Sequence, residues 1–330
     1  MGTEVEFPKA LRSVSLAARR HPLMLFFALA FAFSWVVWAP AVLLSRGSSD
    51  PQTSAVFHLA GSLGPMVSAF VVTTLAGSST AIRELLGRVF RWKIGVKWWL
   101  VAVVGPAILF LAAAVISRLL FGEWPELAEF GRSEEFSFLG LIPYWIANIL
   151  FYGFGEEVGW RGFALPRLQT GRSALAAALI LSLFWAAWHV PLFSLAMGLK
   201  SMGLTAVPGW FFFIVTGSVL LAWIYNSTGG SILIVSVFHG TLDIAINSPS
   251  GPELANVMGA LVTIWGLAAL VWAGPKNLAR RRRKQQAPHL PHRVTLASSS
   301  EPPFRKRPFT GCWVNELAAI TAVGFFAGGP

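Results

Sequence analysis

One cysteine, Cys312, stands among 330 residues, so no internal disulfide can staple this chain and cysteine usage carries no redox argument. Charge is scarce as well. Only 12% of residues are Asp, Glu, Lys or Arg, where soluble domains carry about 25%. No cleavable signal peptide is evident, because the first apolar run is long, begins after Arg19-Arg20 and lacks a small-residue cleavage site. Nor is there an internal repeat. What fills the chain instead is apolar: 55% of it, including 15 Trp, with a mean hydropathy of +0.62. That much apolar surface needs a solvent other than water, and the natural one is a lipid bilayer. Composition therefore excludes a soluble enzyme, a disordered chain and a secreted disulfide scaffold.

The net charge of +11 is unevenly placed. From Pro275 onward, Lys276, Arg280 to Arg283, Lys284, Arg293, Arg305, Lys306 and Arg307 face only Glu301 and Glu316, which puts +8 of the total in the last stretch. A pI near 10.7 would suit nucleic acid on a soluble protein. Hung on an apolar body, the same excess reads as a topology signal or a contact for anionic lipid, and no nucleic-acid partner is expected.

Crossing about 30 Å of hydrocarbon takes roughly 20 apolar residues. Eight runs approach that length: Pro22–Leu44, Ala55–Leu75, Trp98–Leu120, Phe138–Leu165, Ala174–Leu192, Val207–Tyr225, Ser231–Asn247 and Leu254–Val271. The expected fold is an all-α polytopic transmembrane bundle of about eight spans, with an active site within the membrane. Residues 1–21 form a cytoplasmic segment, 22–273 the bundle, and 274–330 a basic tail rich in Pro, Arg and Ser that reads as disordered. Within that tail, Leu317–Phe326 is too short to span. Ser79–Lys97 mixes Ile82, Leu85, Leu86, Val89 and Phe90 with Arg83, Arg88 and Arg91, the pattern of a helix lying on the membrane surface.

Loop charges alternate. Lys9, Arg12, Arg19 and Arg20 precede the first run; Arg83, Arg88, Arg91, Lys93 and Lys97 follow the second; Arg161, Arg167 and Arg172 lie near the turn after the fourth. The opposite loops are poor in Lys and Arg, and Gly122–Phe136 holds Glu123, Glu126, Glu129, Glu134 and Glu135 against Arg132 alone. This asymmetry places both termini in the cytoplasm of a multi-pass cell-membrane protein. Ala-, Arg- and Trp-rich usage and compact loops point to a bacterial membrane.

Ionisable residues inside spans each cost about 2.5–3.5 kcal/mol at a helix centre, so their default reading is functional. They cluster late: Glu156, Glu157 and Arg161 in Gly155-Glu156-Glu157-Val158-Gly159-Trp160-Arg161, then His189 with Trp185 one turn earlier, then His239 and Asp243 one turn apart. His58 and Arg118 fall near the outer ends of their runs, where snorkelling accounts for them. Glu157 and Arg161 share a helix face and can pair, which leaves Glu156, rotated by about 100°, facing elsewhere. His239 and Asp243 aim from one helix at one target, and His189 adds a third wall. Two imidazoles and two carboxylates so placed could polarise a water or bind a divalent metal such as zinc, with Glu156, His189 and His239 as its candidate ligands. The surrounding Phe151, Tyr152, Phe154, Phe184, Trp185 and Trp188 read as packing and lipid contact. At 1.5 Å per residue, Glu156 and His239 lie roughly 12–15 Å below the cytoplasmic face and His189 near 25 Å.

Glu156-Glu157-x-x-x-Arg161, Trp185-x-x-x-His189 and His239-x-x-x-Asp243, in this order on separate spans, resemble the CAAX protease and bacteriocin-processing (CPBP, or Abi) family, over about 138–247. Its members are polytopic intramembrane proteases, and the eukaryotic ones remove the last three residues of prenylated CAAX proteins. The resemblance implies hydrolysis of a peptide bond in a membrane-associated protein or peptide. Glu156 and His189 would activate water, Glu157 and Arg161 would pair, and His239 and Asp243 would stabilise the oxyanion. It leaves open a metalloprotease or a glutamate-dependent scheme, since His-Glu-x-x-His is absent. The sequence departs from the family pattern twice: Trp185 stands for the usual Phe, and Asp243 for Asn. An ionised Asp donates no hydrogen bond to an oxyanion. Two other classes fit the same polar groups, a non-proteolytic immunity or scaffold protein and a proton-coupled transporter; the second lacks evident broken-helix pairs or repeats.

Overall fold

The computed structural model describes residues 9–44, 51–77, 79–133, 135–195 and 203–280. Residues 1–8, Glu134 and the basic tail beyond Arg280, with Cys312 and Leu317–Phe326, lie outside them. Among the described residues the protein is a helical bundle without strands. The helices are α1 (Lys9–Arg20), α2 (Pro22–Leu44), α3 (Pro51–Ser62), α4 (Gly64–Leu75), α5 (Ser79–Val89), α6 (Val96–Phe121), α7 (141–168), α8 (Ala174–Trp188), α9 (Leu192–Leu195), α10 (Val207–Ser227), α11 (Ile232–Asn247) and α12 (Pro252–Ala273).

All eight apolar runs are helical, but they differ in reach. Among the described residues, five stretches are long and apolar enough to cross a membrane: Pro22–Leu43, Ser54–Leu75, Val96–Phe121, Leu204–Ser227 and Glu253–Ala273. The second bends at Leu63, where Gly64-Pro65 opens α4 and proline fits the first helical turn. α8 has 15 residues and α11 has 16, so each rises only about 22–24 Å, short of the roughly 30 Å of hydrocarbon. The expected span Ala174–Leu192 ends early because Pro191 cannot continue the helix that His189 closes.

α7 is the axis of the bundle. It packs against α3, α4, α5, α8, α10 and α11, and every residue from 155 to 166 is buried. A helix enclosed on all sides must be apolar or hold its polar groups in pairs. Glycines let its neighbours come this close. A Cβ on Gly159 would lie 2.6 Å from the Pro65 carbonyl of α4, and one on Gly240 of α11 would lie 2.6 Å from the Ile149 backbone nitrogen of α7. Two π-helical stretches, Asn148–Phe154 and Val158–Ala164, flank the single α-helical turn Gly155–Glu157. Such π geometry is rare and is frequently found at functional sites.

The chain after α12 turns back onto the bundle. The Pro275 and Lys276 carbonyls accept from the Leu175 and Ala174 amides at 3.0 and 2.9 Å, satisfying donors that the first turn of α8 would otherwise leave open. Asn226 Nδ2 donates to the Asn277 carbonyl at 2.8 Å, and Leu278 is buried. The bundle thus extends past residue 273, and the first residues expected to belong to a disordered tail are packed. On the opposite loop, Gly131 N donates to Ser248 Oγ at 2.8 Å, and Phe136 is buried in a small cluster with Tyr144, Tyr152 and Ile244.

Candidate active site

Six of the seven residues singled out by sequence join through side-chain contacts, and the seventh follows one turn along its helix. Trp185 Nε1, on α8, donates to Glu156 Oε2 at 2.7 Å. Arg161 NH1 donates to Glu157 Oε1 at 2.7 Å, with both side chains fully buried. The same Glu157 oxygen accepts from His239 Nδ1, on α11, at 2.8 Å. Asp243 Oδ2 lies 3.6 Å from the other ring nitrogen of His239. The Arg161 guanidinium sits 4.3 Å over the Trp185 ring, where the negative face of an indole favours a cation.

His189 completes the group from the end of α8. Its Nδ1 is 2.6 Å from the Trp185 carbonyl, and a carbonyl can only accept, so Nδ1 carries the proton and Nε2 of the neutral ring is left as an acceptor. The terminal carbonyl of a helix is one of its unsatisfied groups; here it fixes the tautomer of a candidate catalytic imidazole. By the same logic Glu157, an acceptor, places a proton on Nδ1 of His239 and turns Nε2 toward Asp243. The His189 and His239 rings lie 5.6 and 5.8 Å from the Trp185 ring, both edge-on. The offset in depth expected between His189 and Glu156 closes through this indole, one helical turn from the first and hydrogen-bonded to the second.

The two glutamates have separate partners, in keeping with their angular offset on α7. Glu157 lies in the buried ion pair and also orients His239. Glu156 is held by Trp185 and is 4% exposed, against none for Glu157. Pairing the imidazole with an already buried ion pair matters energetically, because an ionised carboxylate in the membrane interior needs several donors to offset its desolvation.

Three readings need correction. Trp185 is a hydrogen-bond donor to Glu156 as well as a packing residue; a buried indole N–H needs an acceptor, which was the available signal. Tyr152 likewise does more than pack, since its hydroxyl lies 3.2 Å from His58 Nδ1. His58 does not snorkel: its Nδ1 lies 2.8 Å from Glu135 Oε1, and their side chains are 12% and 11% exposed. Glu135, from the acidic loop, thus folds inward, and Tyr152 precedes Glu156 by one turn of α7. Arg118 is exposed at the end of α6, where snorkelling suffices.

Among the described residues, no three His, Cys, Asp or Glu side chains are grouped to hold a metal ion. The candidate ligands Glu156, His189 and His239 are therefore not gathered around one point as these residues stand, although each imidazole has its Nδ1 hydrogen-bonded and its Nε2 turned away from that bond, as a metal-ligating histidine also does.

Comparison with known proteins places these residues in a family setting. Residues 138–245 match the family model for a type II CAAX prenyl endopeptidase Rce1-like domain. The curated protein CAAX prenyl protease 2 of Methanococcus maripaludis is 24% identical over 222 residues, covering 65% of this chain and 80% of that protein. The matched stretch runs from the start of α7 into α11 and includes all seven residues.

Proposed function

We propose that this multi-pass membrane chain, similar to CAAX prenyl endopeptidases over its α7–α11 stretch, is an intramembrane protease of the CAAX protease and bacteriocin-processing family that cleaves a peptide bond near the end of a membrane-associated, CAAX-like or prenylated protein or peptide. Its water would be activated by Glu156 and His189. The observation that carries this reading is the pair of long-range hydrogen bonds, Trp185 to Glu156 and His239 to Glu157, that unite three motifs from three helices in one buried cluster. We also place the termini in the cytoplasm of a bacterial cell membrane, on the loop charges given above.

In this scheme a water donates one proton toward Glu156 and the other toward Nε2 of His189, and its oxygen attacks the scissile carbonyl carbon. The proton passes to Glu156 as the C–O bond forms. Protonated His239 donates through Nε2 to the oxyanion of the tetrahedral intermediate, with Glu157 and Asp243 as its countercharges. This gives the departure at Asp243 a role that needs no donated proton. Collapse breaks the C–N bond, and Glu156 returns its proton to the leaving amine. Trp185 keeps the Glu156 carboxylate in one orientation throughout.

The test uses the full chain purified in detergent with a panel of quenched peptides, some bearing a prenylated CAAX end. Glu156→Ala and His189→Ala should each abolish cleavage while leaving expression and melting temperature close to wild type. Full activity in either variant would sink the mechanism. A chelator arm, read with metal analysis, separates glutamate chemistry from metal chemistry. Cellular function rescued equally by wild type and both variants would instead favour the immunity or scaffold role.

A further inference from the structure

A second polar group lies at the opposite end of α7 from His58, on the basic side of the bundle, and the proposed reaction does not use it. A narrow cleft, open at its mouth, lies between α4, α5 and α7, lined by Thr73, Glu84, Arg88, Phe163 and Arg167 among others. Arg88 is buried although it stands on the surface-lying helix α5. Its NH1 donates to the Gly162 carbonyl at 3.1 Å and lies 3.4 Å from the Tyr225 hydroxyl. The nearest carboxylate oxygen paired with it, on Glu84, is 3.7 Å away, beyond hydrogen-bond reach. On the other wall, Arg167 NH1 donates to the Phe163 carbonyl at 2.8 Å, and its guanidinium lies 3.5 Å over the Phe163 ring. Its Nε is buried with no hydrogen-bond partner.

Two guanidinium groups therefore line one small cleft with one carboxylate between them. That leaves a surplus of one positive charge and an unmet buried donor, an arrangement that is costly without an anion. Guanidinium matches the planar, multidentate geometry of phosphate oxygens. The setting says where such an anion would come from. Phe90 and Trp92, just beyond α5, are 71% and 61% exposed beside Arg91 and Lys93, the mix of aromatic and basic residues found at headgroup level.

We propose that the cleft between Arg88 and Arg167 binds a phosphate group, presented by the headgroup of an anionic membrane phospholipid. The lipid would tie the surface helix α5 to α7 at the Gly162 carbonyl, one residue from the Arg161 ion pair.

The experiment is native mass spectrometry and thermal unfolding of the full chain in detergent. It uses short-chain phosphatidic acid and phosphatidylglycerol, phosphatidylcholine, and inorganic phosphate as separate probes. Anionic lipid should bind and raise the melting temperature, Arg167→Gln should weaken that binding about tenfold, and Arg83→Gln, an exposed arginine on the same helix, should leave it unchanged. Glu84→Gln removes the competing carboxylate and should tighten binding several-fold, a gain that misfolding cannot imitate. Inorganic phosphate binding as tightly as lipid would overturn the headgroup assignment in favour of a free phosphate. Equal binding by wild type and Arg167→Gln, equal loss in Arg83→Gln, or no binding of any probe would overturn the site itself.

Discussion

Removing Glu157 is the sharpest way to ask what the buried ion pair does. Arg161 is fully buried, and its hydrogen bond to Glu157 is matched by no partner at Nε or NH2. Stripping one member from such a pair leaves a charge in a medium that cannot solvate it, at about 3–5 kcal/mol. The insertion cost of an isolated Arg at mid-membrane, about 2.5–3.5 kcal/mol, falls in the same range. Glu157→Leu also orphans Nδ1 of His239, which adds about 1–3 kcal/mol. The single variant should therefore lose at least about 4 kcal/mol, close to the whole stability of many proteins. Arg161→Leu should cost less, because His239 still donates to the carboxylate.

The double variant Glu157→Leu/Arg161→Leu removes both charges and leaves only the unpaired imidazole. It should be more stable than the sum of the singles by about 2–3 kcal/mol, the upper part of the range for directly coupled residues. The assay is reversible unfolding of the four proteins in one mixed-micelle system, read by tryptophan fluorescence. Additivity within about 0.5 kcal/mol would refute the reasoning, since that is the behaviour of residues that do not interact.

Further outcomes follow from the same contacts. Trp185→Phe keeps an aromatic face under Arg161 but deletes the donor to Glu156; a hydrogen bond to a charged group contributes about 1.5–3 kcal/mol, so kcat should fall roughly tenfold to a hundredfold with KM little changed, measured by peptide cleavage. Gly159→Val drives a side chain into the Pro65 backbone and should lower the melting temperature severely, whereas Gly87→Ala, where a Cβ meets nothing within 4 Å, should be neutral. His58→Leu strands both Glu135 and the Tyr152 hydroxyl and should cost about 1–3 kcal/mol; an unchanged melting temperature would mean the contact is incidental.

The helical fold and the i, i+4 pairs within the candidate site were legible in the sequence because each rests on local spacing. Apolar runs need only be counted, and the i, i+4 pairs Glu157–Arg161 and His239–Asp243 are fixed by helix geometry. What the sequence could not show are contacts between helices. Trp185 meets Glu156 across 29 positions, His58 meets Glu135 across 77, and His239 meets Glu157 across 82. No periodicity encodes such distances. Nor does an apolar helix of 15 or 16 residues, such as α8 or α11, say by its sequence whether it spans lipid or ends inside a protein bundle. Arg88 escaped for the same reason: on a helix read as surface-lying, a buried arginine differs from an exposed one only in its distant partners, Gly162 and Tyr225.

Charge balance gives Asp243 a part in the proposed mechanism, at a position where the family resemblance implies Asn. Glu156, Glu157 and Asp243 are three carboxylates, and Arg161 is the one permanent cation joined to them. With every carboxylate ionised and both imidazoles neutral, the cluster would hold two net negative charges in a setting that solvates them poorly, a cost of several kcal/mol per unpaired ion. A second proton on His239, lying between Glu157 and Asp243, removes one of those charges. Transfer of a water proton to Glu156 merely moves negative charge onto the attacking oxygen, and thence to the oxyanion, next to that same imidazolium. With Asn at this position the cluster would carry one negative charge fewer, and His239 would have less reason to hold the extra proton. In the proposed mechanism the aspartate would thus change how the site keeps its oxyanion donor charged, with the water activation assigned to Glu156 unaltered.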